Sequence, residues 1–220
     1  MSIDRAGFPF VLAFVVPAGL CAVAGWTILA TAFGALALFM LWFFRDPERT
    51  PPPDASLVLA PADGRVVVAG RPEPGIAPPG EWQQVSIFLS PLDVHINRVP
   101  IAGRVTRVEY RPGRFLAAYR NEAARENERC EIWLEGAGVQ VVARQVVGVL
   151  ARRVVCRLEE GQVVGPGQRL GLMKFGSRMD VFVPPSAGLS VTRGTRVRAG
   201  ETVLARLAPA DPQGGRAQRP

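Results

Sequence analysis

Three short segments hold the side chains with which a small domain could make and break covalent bonds: Ala60-Pro-Ala-Asp-Gly64, Ser90-Pro-Leu-Asp-Val-His95 and Lys174-Phe-Gly-Ser-Arg178. They supply a carboxylate (Asp63), an imidazole (His95) and a hydroxyl preceded by glycine (Gly176-Ser177). An Asp, a His and a Ser are the parts of a hydrolase triad. Each segment also has a plainer reading. Asp63-Gly64 is ordinary turn chemistry, Asp93 and His95 stand two apart and would pair on one strand face, and a glycine within a strand marks a bulge or a close backbone approach. No G-x-S-x-G elbow is present, so residue types alone do not separate a triad from coincidence. His95 is the single histidine, and Cys21, Cys130 and Cys156 show no C-x-x-C spacing. A zinc site, an imidazole-rich metal site and a disulfide framework are therefore not encoded, and a reducing compartment is the simpler setting.

These residues need a scaffold, and the chain from residue 56 onward reads as β structure. Apolar runs rich in Val, Ile and Leu recur between turns at 57–60, 65–69, 84–89, 104–110, 131–134, 139–149, 153–158, 169–175, 179–183 and 202–207. The expected fold is mostly β, an antiparallel barrel or sandwich. Only the stretch from Phe115 to Arg129 looks helical or loop-like. A faint repeat also runs through the domain, since Gly161-x-x-Val-x-x-Gly167 returns 33 residues later as Gly194-x-x-Val-x-x-Gly200. This is the turn pattern of a hammerhead-like β module, with glycines at positive-φ corners. Carrier domains use similar turns, but Lys174 sits in a strand-like run rather than at a hairpin tip.

The first 44 residues are of another kind. In a chain of 220 residues with 26 Lys or Arg against 19 Asp or Glu and a net charge of +7, this segment has only Asp4 and Arg5. The uncharged run from Gly7 to Phe44 would measure about 57 Å as helix, against about 30 Å for one hydrocarbon core. A membrane anchor over 1–48, a helical hairpin of two short spans breaking near Gly25, uses that length; one long span with an interfacial extension is the alternative. A Pro-rich linker over 49–55, a domain over 56–207 and a disordered tail over 208–220 complete the expected organisation. The basic residues show no stripe interleaved with aromatics, so nucleic acid is not an expected partner.

Four ordered motifs then resemble a known family: Pro61-Ala-Asp-Gly64, Ser90-Pro-Leu-Asp-Val-His95 with Pro100 beyond it, Arg111-Pro-Gly-Arg-Phe115 leading to Glu126-Asn-Glu-Arg129, and Phe175-Gly-Ser-Arg178. Together with the apolar anchor they resemble the phosphatidylserine decarboxylase proenzymes, in their short bacterial and archaeal branch. The resemblance implies that Ser177 attacks the carbonyl of Gly176 and that the chain splits into a β chain, 1–176, and an α chain, 177–220, which remain together as a heterodimer. It also implies that Ser177 becomes a covalent pyruvoyl group and that no metal is used. That group would form a Schiff base with phosphatidylserine and release CO2 to leave phosphatidylethanolamine, at the inner membrane with the active domain facing the cytoplasm. A further homo-oligomer is left open.

Within that resemblance His95 is the candidate base and proton donor, and Asp63 the group that orients or charge-stabilises it. Longer relatives carry a second histidine three residues on, where this chain has Arg98. His95 would then serve both self-cleavage and decarboxylation, or Arg98 would take one role by holding the substrate carboxylate or phosphate. Phe115, in an apolar patch flanked by Arg111, Arg114 and Arg120, is a candidate lipid contact, although a helix packed on the sheet is an equal reading. A non-catalytic membrane-tethered adaptor or carrier, and a membrane-bound serine hydrolase, are the alternative functions.

Overall fold

The computed structural model describes residues 2–116, 122–149, 154–174 and 176–208. The expected tail from residue 209 onward, Phe175, and 117–121 of the Phe115 patch lie outside the described residues. In chain order the elements are β1 (Ser2–Ile3), α1 (Phe8–Val23), α2 (Thr27–Phe43), β2 (Arg45–Asp46), β3 (Leu57–Leu59), β4 (Gly64–Gly70), β5 (Gln83–Leu89), β6 (Ile96–Arg98), β7 (Gly103–Arg111), α3 (Ala123–Glu126), β8 (Arg129–Gly136), β9 (Val139–Val146), β10 (Val154–Cys156), β11 (Val163–Val164), β12 (Arg169–Met173), β13 (Ser177–Val183), β14 (Gly188–Leu189), β15 (Arg196–Val197) and β16 (Val203–Arg206).

Every pairing between these strands is antiparallel. An eight-stranded sheet runs β11-β7-β8-β9-β13-β5-β4-β15, with three-stranded sheets β10-β12-β6 and β14-β16-β3 beside it. The arrangement is sandwich-like, and the large sheet does not close into a barrel. Period-two alternation explains the layers. In β13, Met179, Val181 and Val183 enter one continuous core with Val85, Ile87, Leu89, Ile132 and Leu170. Arg178, Asp180 and Phe182 take the opposite face, where the 71–82 excursion covers them: Arg178 reaches Glu73 and Arg144 donates to the Ile76 carbonyl. Both faces of β13 are thus buried, which is why its sequence shows little polar alternation.

The glycine repeat is a real structural repeat. Gly161, Gly167, Gly194 and Gly200 have φ of 85°, 72°, 95° and 75°, a region open to glycine and costly for other residues. The two copies donate equivalent bonds: Gly161 N–H to Val105 O and Gly167 N–H to Val99 O in one, Gly194 N–H to Val66 O and Gly200 N–H to Ala60 O in the other.

The apolar N-terminal run forms two helices joined by Ala24–Trp26, where Gly25 takes φ 76°. Residues Arg5–Val23 are long and apolar enough to cross a membrane, and Thr27–Phe43 is a shorter apolar helix. Leu12, Leu20, Val23, Ile28 and Leu38 project outward, well exposed. The base of the pair is tied to the β domain. β1 pairs with β2, Asp4 accepts two bonds from Arg157 at 2.7 Å, and Asp46 pairs with Arg98 and Arg169.

Candidate active site

Two ladders converge on one point. β5 and β13 pair so that Ser177 lies opposite Leu89, the last residue of β5. β6 and β12 pair so that Ile96 lies opposite Leu172. The chain passes from β5 to β6 through Ser90–His95 and from β12 to β13 through Lys174–Gly176, so the two connections lie side by side. The first is a tight turn built from its own side chains. Asp93 Oδ2 accepts from Ser90 N–H at 2.9 Å, and Ser90 Oγ accepts from Leu92 N–H at 3.2 Å. Its rigidity delivers His95 to the start of β6.

His95 is buried, 1 % exposed. Its Nδ1 lies 2.9 Å from the Asp93 carbonyl, and its Nε2 accepts from Gly176 N–H at 3.3 Å. A ring nitrogen that accepts fixes the proton on the other one, so this imidazole is neutral with Nδ1–H donating to the carbonyl. Burial pushes its pKa down from 6.5 to about 4, against the upward pull of the Asp93 carbonyl and carboxylate. At neutral pH Nε2 is therefore an unprotonated base. The Phe43 ring packs on it with centroids 4.2 Å apart. Gly176 has φ 75° with open space where a Cβ would stand, so conformation and not crowding requires glycine there. Ser177 is completely buried, and its Oγ has no hydrogen-bond partner. A sealed, unpaired hydroxyl beside a neutral base can act as a nucleophile toward an adjacent carbonyl.

The structure brings His95, Gly176 and Ser177 together and gives the other candidates different work. Asp63 does not reach His95: its Oδ2 pairs with Arg49 at 2.8 Å and its Oδ1 accepts from Ala199 N–H at 2.8 Å. Burial pushes its carboxyl upward despite those two partners. Nor is Asp93 the carboxylate partner that i, i+2 spacing suggested, because 93–95 lie in a turn, outside any strand, and the imidazole takes the main-chain carbonyl instead. Arg98, expected to face substrate, is only 6 % exposed. Its guanidinium bonds Asp46 Oδ1 at 2.9 Å, Pro47 O at 2.6 Å and Gly167 O at 2.9 Å, which ties the end of the helical hairpin to the β domain. Phe115 is exposed, next to a loop held by Asn127, whose side chain bonds both Leu116 N–H and Leu116 O at 2.8 Å. Among the described residues no bond links Phe115 to the site.

Sequence reasoning missed Phe43, Asn97 and Gln145. Phe43 was submerged in a uniformly apolar run. Asn97 lies in β6, whose Ile-Asn-Arg sequence has no alternation because both of its faces are buried. Gln145 follows Arg144 in β9, and two adjacent polar residues inside a fully buried stretch were the one available signal. Arg178 is locked at the start of β13 by Asp180 Oδ1 at 2.6 Å, Ser86 Oγ at 2.9 Å and Glu73 Oε2 at 3.0 Å, which fixes the backbone immediately after Ser177.

The chain as a whole is similar to known proteins. A family model described as phosphatidylserine decarboxylase matches residues 36–205. A phosphatidylserine decarboxylase proenzyme of Pelodictyon phaeoclathratiforme is 49% identical over 174 residues, covering 79% of this chain and 81% of the relative. One from Salinibacter ruber is 48% identical over 192 residues, 86% and 83% of the two chains, and one from Magnetococcus marinus is 42% identical over 207 residues, 93% and 95%. On its motifs, its site and a match that spans the β domain, the chain belongs to the phosphatidylserine decarboxylase family.

Proposed function

We propose that this protein is a membrane-anchored, self-processing decarboxylase that converts phosphatidylserine to phosphatidylethanolamine and CO2, and that it matures by cleavage between Gly176 and Ser177. The observation that carries the reading is the contact of His95 Nε2 with the Gly176 N–H at 3.3 Å, one residue before the buried Ser177, whose Oγ has no partner among the described residues. In the maturation step the Ser177 hydroxyl adds to the Gly176 carbonyl while His95 accepts its proton; the C–N bond then breaks to give an ester, elimination frees the Gly176 carboxylate and leaves a dehydroalanine, and water replaces its nitrogen, released as ammonia. The left-handed Gly176 holds that peptide in a conformation other residues resist. The two chains then stay assembled, because β13 of the α chain is paired on both sides with β5 and β9 of the β chain.

The residues present fit a pyruvoyl group derived from Ser177, since the position is buried, begins a strand held by Arg178 and follows Gly176, whose N–H meets the one imidazole. Such a group, held by the backbone at 177 and buried by its neighbours, would supply the electron sink for the pair left on the substrate Cα as CO2 departs. His95 is the group placed to return a proton to that carbon. A cleft of about 780 Å³ beside Asp93 and Val94, lined by Arg45, Arg49, Asp63, Arg196, Arg198 and Glu201, presents both signs of charge, as a phosphoserine head group does. On this reading the apolar outer face of α1 and α2 lies in the bilayer, with the cleft at its cytoplasmic surface.

The test is to give the purified chain vesicles containing phosphatidylserine and to follow CO2 release and phosphatidylethanolamine. The native chain is expected to form both products and Ser177→Ala neither. Undiminished turnover by Ser177→Ala would overturn the reading.

A further inference from the structure

Buried polar atoms without partners are rare in folded proteins, and each calls for a physical reason. Beside Ser177 Oγ, two more lie in the same layer of this molecule: Asn97 Nδ2 and Gln145 Oε1. Both residues are fully buried, 0 % exposed. They are bonded to each other, with Gln145 Nε2 donating to Asn97 Oδ1 at 2.9 Å. A pair of primary amides joined by one bond keeps further donors and an acceptor. Reversing both amides exchanges which residue carries the spare N–H, and the inventory stays the same.

Their place in the fold puts this pair on the face of the sheet that Ser177 shares. Gln145 lies opposite Met179 in the β9–β13 ladder. Ser177, two residues nearer the start of β13, is its diagonal neighbour on the same face, about 7 Å away between backbones. Asn97 is two residues beyond His95. Its neighbour Ile96 packs toward the helices with Phe43 and Phe44, while Asn97 turns the other way, to the main sheet. An apolar pair in this position would pack at least as well, so two buried amides with unused hydrogen-bonding capacity cost stability without a structural return.

We propose that the Asn97–Gln145 amide pair stabilises the oxyanion formed when Ser177 attacks Gly176. The inference rests on the cleavage reading above and adds catalytic residues to it. As the Ser177 Oγ–carbon bond forms, its proton goes to His95 Nε2 and the carbonyl π pair moves onto the Gly176 oxygen. The spare amide N–H donates to that oxygen in a site sealed from water, where such a bond is strongest. Collapse returns the pair to the carbonyl and breaks the C–N bond, and the Ser177 nitrogen takes the proton from His95. The product is an ester between Gly176 and Ser177 Oγ, with the spare amide carbonyl available to the new amine.

The test measures cleavage apart from lipid turnover. The full chain is made by cell-free synthesis in the presence of vesicles of phosphatidylglycerol and phosphatidylethanolamine, and conversion to two chains is followed by pulse–chase. Asn97→Leu is expected to slow conversion on the order of a hundredfold, as loss of one oxyanion donor does. The double variant Asn97→Leu/Gln145→Met removes both polar groups at similar volume and is expected to slow it equally. Each is also made on the Ser177→Ala background, where the uncut chain reports melting. Variants that melt within a few degrees of Ser177→Ala are scored, and with both partners replaced by apolar groups the double variant is the one expected to do so. Native-rate conversion in a scored variant would overturn the inference while leaving the cleavage reading intact. A native chain that is never cut would instead overturn the reading itself.

Discussion

At the scale of the residue, the surroundings of the single histidine decide its protonation. Burial under Phe43 and the bond from Gly176 N–H hold His95 neutral, with a pKa of about 4 in place of 6.5. Cleavage is therefore expected to run at a level rate from about pH 8 to pH 5 and to lose half its rate near pH 4. A midpoint near 6.5 in a pH–rate profile would contradict the buried base. The same shift sets a stability trend with a definite sign. Between 6.5 and about 4 the unfolded chain binds a proton that the folded chain refuses, so stability falls as the solution is acidified through that window. Thermal melts of Ser177→Ala across it are expected to show the decline, and His95→Gln on that background to lessen it. Which residues could react was legible in the sequence, since Ser177, Gly176 and His95 are each unusual in type or setting. Their partners were not, because a carbonyl acceptor, such as Asp93 O, leaves no mark in residue identity.

At the scale of the element, glycine and arginine carry the argument. Gly176→Ala has no steric obstacle, yet at φ 75° it carries roughly 1–2 kcal/mol of backbone strain. Relief of that strain would turn the Gly176 N–H away from His95, so cleavage in pulse–chase is expected to slow at least tenfold. Arg98 differs in kind. Removing it leaves Asp46 buried with only the half-exposed Arg169 as partner. Arg98→Met is expected to cost about 3 kcal/mol in urea unfolding, the typical cost of breaking a buried pair. The folded fraction should still bind phosphatidylserine vesicles normally; selective loss of head-group affinity would restore the substrate-binding role that its sequence position suggested. The longer strands were readable from apolar runs, and the glycine repeat from its spacing. The two- and three-residue strands β6, β11, β14 and β15 were not, since periodicity needs more residues than they contain, and β6 is the strand that joins His95 to Asn97.

At the scale of the whole molecule, the helical pair and the β domain pack against each other. Phe43 lies on His95, the Phe10 ring lies 4.7 Å from Lys174 Nζ beside Gly176, and Met40, Phe43 and Phe44 share a buried cluster with Val94, Ile96 and Leu172. Composition separated an apolar segment from a charged one but hid this contact, because an outward-facing phenylalanine and one that faces an imidazole look alike in sequence. Phe43→Ala is accordingly expected to remain bound to vesicles in flotation while its cleavage slows and the midpoint of its pH profile rises toward 6.5, as desolvation of His95 is relieved. An unchanged pH midpoint would show that the ring does not tune the base. The central claim, that the chain cuts itself at Gly176–Ser177 and converts the serine, is tested most directly by the intact mass of the purified protein under denaturing conditions. Two chains are expected, residues 1–176 and 177–220, the shorter about 17 Da lighter than a serine-started peptide. A single unbroken chain from folded protein, or a shorter chain that still begins with serine, would contradict it.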